Sequence, residues 1–182
     1  MTDQSESDVV RLARDRNDDG KPENARPRDR FGAPLPRDAE DQLPDRVEPE
    51  DVVDTVEDTL ACAIALFDEE RFFEAHEFFE WAWKGPMTPD DQRQLFKGLA
   101  QICVGYCHIQ RGNATGAASL LERGIEHIEP YGENAQGIDL VAVGEDAQRM
   151  VGTLQQLAAQ EGEARDPKLR ELVTFPQFHT AS

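Results

Sequence analysis

Phe72-Phe73-Glu74-Ala75-His76-Glu77-Phe78-Phe79-Glu80-Trp81-Ala82-Trp83 is the stretch that decides the fold. Its aromatic rings share one predicted helix with three carboxylates and a histidine. At about 100° per residue, Phe72, His76, Phe79, Glu80 and Trp83 fall on one face, with Phe73 at its edge. Glu74, Phe78 and Trp81 fall on the opposite face. A helix this aromatic belongs at the centre of an all-helical domain, with ionisable groups aimed into the interior.

The flanking segments supply the partners. Upstream, Val52, Val53, Val56, Leu60, Ala63, Ile64 and Phe67 recur at three- and four-residue spacing, which predicts a helix starting near Pro49-Glu50-Asp51 and ending around Asp68-Glu69-Glu70. Gly85-Pro86 closes the aromatic helix. Thr88-Pro89-Asp90-Asp91 then reads as a cap, a first-turn proline and two acids. The helix it opens runs to about Arg111. That helix is apolar around most of its circumference, as a buried helix is, apart from a stripe of Lys97, Gln101 and His108.

Gly112-Asn113 turns the chain into a helix from Ala114 to Ile128, ended by Pro130 and Gly132. A polar link, Glu133 to Gly137, leads to a fifth helix near Leu140 to Gln160, which Asp166-Pro167 stops. Leu169, Leu172, Val173, Phe175 and Phe178 form a tail that packs back on the body. The predicted architecture is an all-α, compact bundle of about five helices. It divides into a Pro/Arg/Asp-rich arm (1–48), a helical core (49–131), a linker with an additional helix (132–162) and the tail (163–182). The arm has too few apolar residues to order independently and reads as flexible and disordered. The other reading is an extended strap anchored by Phe31, Leu35 and Leu43.

An internal repeat is visible: residues 66–80 can be laid on residues 108–122, matching Arg71 to Asn113, Ala75 to Ala117, Phe79 to Leu121 and Glu80 to Glu122. Each copy is an antiparallel helical hairpin with a small residue where the pair crosses. Two such hairpins resemble tetratricopeptide repeats, at a longer period.

Composition limits the functions. With 182 residues, 38% hydrophobic, and a formal net charge of -18, the chain is a poor fit to nucleic acid or an anionic membrane, which bind through clustered Lys and Arg. No apolar run approaches a membrane span, and Met1 to Glu6 lack the features of a signal peptide, so a cytoplasmic location is expected. Cys62, Cys103 and Cys107 sit in apolar helical patterns and suit reduced core thiols.

The Phe73-Glu74-Ala75-His76-Glu77 run with Glu80 and Trp83, the Lys97-Gly98-Leu99-Ala100-Gln101 element, and Tyr106, His108 and Arg111-Gly112-Asn113 together resemble the bacterial and archaeal family called domain of unknown function 309, over roughly residues 55–131. The arm's Asn24-Ala25-Arg26-Pro27-Arg28-Asp29 resembles the extension of actinobacterial members. What the resemblance implies is an all-helical fold, with no established activity, substrate or cofactor attached.

The site is therefore argued from chemistry. His76 and Glu80 lie one turn apart and can meet, and the facing stripe offers His108, Gln101 and Lys97. One reading is structural, a paired His-Glu and Lys-Glu network that fixes helix register, because buried charges must be paired. It accompanies an interaction or ligand-binding module, with Glu74, Glu77, Trp83, Gln101 and Tyr106 as binding residues and a protein or small molecule as partner. The alternative is a small hydrolase-like enzyme. There His76, Glu80 and His108 would hold a divalent transition metal, zinc or iron, or Glu80 and His76 would act as acid and base beside an anion-binding Lys97. Glu80 stands where the zincin motif has its second His. The Phe78 and Trp81 face would meet the arm or a second copy in a homodimer.

Overall fold

The computed structural model describes residues 26–43, 46–161 and 168–181. Among these, five α-helices follow one another: α1 (Val56–Asp68), α2 (Phe72–Lys84), α3 (Arg93–Gln110), α4 (Ala114–Ile128) and α5 (Leu140–Glu161). Each packs on the next in chain order. None is long and apolar enough to cross a membrane. The expected all-α bundle is therefore the observed one.

Two helix starts differ from the sequence reading. Pro49–Asp51 form a separate 3-10 turn, and α1 begins only at Val56, because Thr55 is the residue whose side chain accepts from the Asp58 amide, at 3.1 Å. Thr88 does not cap α3. Pro89 is extended (ψ 145°), a 3-10 turn follows at Asp90–Gln92, and the Thr88 hydroxyl is buried without a hydrogen-bond partner among the described residues. Asn113 does cap α4 as its position suggests, accepting from the Gly116 amide at 3.0 Å.

The two hairpins are fastened to each other at their turns. The left-handed Glu70 (φ 59°) closes the α1–α2 turn, and Gln110 Nε2 donates to its carbonyl at 2.8 Å. The matched pairs of the repeat occupy like environments: Ala75, Ala117, Phe79 and Leu121 are all fully buried. α3 and α4 approach closely enough that a Cβ on Gly98 would lie 2.9 Å from the Gly124 carbonyl oxygen, and a Cβ on Gly124 would lie 2.9 Å from that of Gly98. Neither position admits a side chain, so these glycines set the interhelix distance.

The polar link forms a hairpin, β1 (Asn134–Ala135) with β2 (Ile138–Asp139). Gln136 (φ 53°) and Gly137 (φ 73°) are both left-handed, the conformation of a two-residue turn that matches strand twist. The tail continues this edge: Thr180 bridges Ile138, the Asp139 amide donates to the His179 carbonyl at 3.1 Å, and the Ala181 amide donates to that of Gly137 at 2.8 Å. Phe178 then enters the core, 5.2 Å from the Phe67 ring and 6.0 Å from Phe79, while Phe175 lies 5.0 Å from Phe72. His179 pairs with Asp146 at 2.6 Å.

Within the segment read as a flexible arm, residues 26–43 fold into a strap on α2 and the end of α3. The Leu35 amide donates to the Pro27 carbonyl and the Gln42 amide to that of Arg28, each at 2.8 Å. Gly32 (φ 72°) lies so near Phe73 that a Cβ there would fall 2.0 Å from the ring. Of the three anchors weighed for a strap, Leu43 packs at the core's edge. Phe31 anchors differently, through its carbonyl, which accepts from Arg111 Nε and Nη2 at 3.0 and 2.6 Å. The guanidinium carbons of Arg30 and Arg170 lie 4.5 and 5.2 Å from the Phe31 ring centroid. Residues 1–25 and the Asp166-Pro167 stop lie outside the described residues.

Candidate functional site

α2 is covered on both faces, because the Pro49–Asp51 turn packs on it as well as α1 and α3. Phe78 and Glu74, placed by the helical wheel on an outer face, are buried. Phe78 is thus unavailable as a contact for a second copy. Glu74 is committed locally to Arg71, whose Nε donates at 3.0 Å and whose Nη2 donates to the other oxygen.

The residues proposed from sequence separate into three environments. Tyr106 is a core residue: its ring lies 5.1 Å from Phe72 and 5.5 Å from Phe67, and burial pushes its hydroxyl well above the ordinary range. At the open end of the α2–α3 pair, Glu80 accepts from Lys84 at 2.5 Å. Both Lys84 and Lys97 stand 5.6 Å from the Trp83 ring. Arg93 ties the two helices there by donating to the Trp83 carbonyl.

Deeper along the pair, His76 donates from Nδ1 to the Phe73 carbonyl, which leaves Nε2 as the basic nitrogen. Burial lowers its pKa, against the opposing pull of the Phe73 carbonyl and Glu80, so the ring is neutral at pH 7. His108 accepts at Nδ1 from Asn113 Nδ2 at 2.8 Å, an assignment that follows from Asn113 Oδ1 being used for the α4 cap. Gln101 keeps a buried Oε1 without a hydrogen-bond partner among the described residues. His76, Glu80 and His108 are not gathered as ligands: among the described residues no group of three or more His, Cys, Asp or Glu is placed to hold a metal ion.

The residue that the fold singles out is Glu77. Its side chain is only 11% exposed. Oε2 is buried without a hydrogen bond among the described residues and stands 3.7 Å from Arg46 Nε, too far for more than an ion pair. Burial raises the carboxyl to about 7; the Arg46 charge pulls the other way, and Glu48 adds to the rise. Glu77 lines a cleft of about 380 Å³ between α2 and the Pro49–Asp51 turn, whose other walls include Glu48, Glu50, Glu80, Trp81 and Lys84. The sequence names Glu77 as a binding residue without saying what it faces. The structure gives Glu77 a cavity that no residue periodicity could reveal.

A second group of polar residues was missed from the sequence. Arg28 of the strap, Arg46 and Arg111 bring their guanidinium carbons to 5.4, 6.0 and 6.0 Å from the Phe73 ring centroid. Arg111 carried a signal, since it opens the Arg-Gly-Asn turn. Arg28 and Arg46 sit in the segment read as disordered, and nothing in their spacing marks them.

The family model described as Domain of unknown function (DUF309) matches residues 60–120, a span that runs from α1 into α4 and includes Glu77, His76, Gln101, His108 and Arg111. The resemblance read from the motifs is thereby supported over that segment. No curated protein matches the chain.

Proposed function

We propose that the domain is a ligand-binding module for a small cationic molecule, an amine or guanidinium compound, taken up in the Glu77 cleft. The observation that carries this is Glu77 itself. A carboxylate held in the fold with one oxygen lacking a hydrogen bond among the described residues is unfavourable, and the charge of a cation in the adjoining cleft would offset part of that cost. The cleft's further carboxylates, Glu48, Glu50 and Glu80, add attraction for a cation, and the Trp81 indole lines the same cleft. The polar residues of the α2–α3 interface then act as support, holding α2 in register beneath the cleft.

Calorimetric titration with agmatine tests this. Binding at pH 8.5 should be saturable, weaken at least about tenfold at pH 5.5, where Glu77 is protonated, and be lost in Glu77→Gln. Binding that is indifferent to both pH and Glu77→Gln would refute the reading.

The proton affinity of Glu77 also favours one second reading. A carboxyl poised near pH 7 suits a general acid or base, so the hydrolase-like alternative passes to Glu77, away from His76, Glu80 and His108. Turnover in an ester and amide screen with a bell-shaped pH profile, abolished in Glu77→Gln, would establish it in place of simple binding.

A further inference from the structure

Arg111 is a partly buried cation at the end of α3 with no carboxylate partner among the described residues. Nε and Nη2 are both spent on one neutral acceptor, the Phe31 carbonyl, and Nη1 has no acceptor among the described residues. Arg46 differs in facing two carboxylates: Nε and Nη2 donate to Glu48 Oε1, at 3.1 and 2.5 Å, and Nε lies 3.7 Å from Glu77 Oε2, while its Nη1 has no acceptor among the described residues. Both guanidinium carbons lie 6.0 Å from the same Phe73 centroid. Between them in charge, though engaged elsewhere through its own hydrogen bonds, stands Arg28 at 5.4 Å.

Three cations gathered on one apolar ring repel one another, the more so where water is partly excluded. The effect is visible at Arg28, whose proton affinity is lowered first by burial and then by Arg111 and Arg46, with Glu77 opposing. In a chain of net charge -18, such a concentration of positive charge is a local exception, and planar guanidiniums with donors to spare match the oxygens of a tetrahedral anion.

From this geometry we infer that Arg46 and Arg111, reinforced by the charge of Arg28, form a binding site for a phosphate group where the strap meets α2 and α3. The inference does not rest on the amine cleft, and Glu77→Gln separates the two. That change removes the carboxylate an amine needs and also removes a repulsive charge beside the arginines, so amine binding should be lost while phosphate binding is kept or strengthened.

The test is isothermal titration of the full chain with inorganic phosphate and with phenyl phosphate, against sodium chloride at matched ionic strength. The expected result is one saturable site per chain, weakened at least about tenfold by Arg111→Gln and by Arg46→Gln. Arg46→Gln is the deciding variant, because it leaves the Arg111–Phe31 contact intact; an unshifted Gly32 amide resonance confirms that the strap is still docked. Tighter binding of phenyl phosphate assigns the site to a phosphomonoester, and equal binding assigns it to the free anion; both support the site. Heats no larger than those of chloride, or binding that survives Arg46→Gln unchanged, would overturn it.

Discussion

Replacing Glu77 with Gln should make the protein more stable at alkaline pH. Glu77 keeps its shape in this variant but cannot ionise. In the folded chain its carboxyl titrates at about 7 against 4.5 when unfolded, so between those values the folded state holds the proton more tightly. Stability from this group is fully present below about pH 4.5 and is lost as the pH rises through 7, at about 1.4 kcal/mol per pH unit, or about 3 kcal/mol in all. The Arg46 ion pair is already contained in that net value. For a chain of this length, 1 kcal/mol moves the melting temperature by about 2–4 °C, so Glu77→Gln should melt about 6–12 °C above wild type at pH 8.5 and close to it at pH 4.5. Differential scanning calorimetry at five pH values measures this, with the difference between the two proteins cancelling the titration of the other carboxylates. A difference that is flat with pH, or a variant less stable at pH 8.5, would mean that Glu77 is adequately satisfied in the fold and would remove the ground for the cleft reading.

Three further outcomes follow from the packing. Gly32→Ala should free the strap, since a left-handed backbone alone costs about 1–2 kcal/mol in an L-residue and the new methyl would collide with Phe73; limited proteolysis should cut within residues 33–43 faster than in wild type. Asn113→Ala removes the α4 cap and the His108 contact together and should lower stability by about 1–2 kcal/mol in urea unfolding. Phe178→Ala withdraws a ring from contact with Phe67 and Phe79 and should cost about 3 kcal/mol in the same assay, even though it lies far from the helical core in sequence.

How much of this could be read beforehand depends on how local each cause is. α4 was legible to the residue, because Asn113 and Pro130 mark its ends by chemistry that acts within a few positions. The burial of α3 followed from its nearly continuous apolar circumference. Thr88 was misread because a cap needs its backbone in the right place, and Pro89 holds the chain extended there. The strap escaped for a different reason: Arg111 grips a main-chain carbonyl, and every residue has one, so no side-chain pattern announces Phe31. Glu77 carried a helix position but not a cavity, since the cleft's opposite wall comes from Glu48 and Glu50, on a turn that the sequence assigned to a helix. Tyr106, named as a binding residue, has its ring packed against Phe67 and Phe72.

The aromatic cluster under the tail also sets a timetable for synthesis. Phe67 and Asp68 are made about 110 residues before the Phe178 whose amide Asp68 will hold, an interval of roughly 5–20 s at ordinary elongation rates. During it α1, α2 and α3 can pair, but Phe67, Phe72 and Tyr106 lack the Phe175 and Phe178 rings that cover them. The growing chain therefore carries an apolar window until Phe175 and Phe178 have been made.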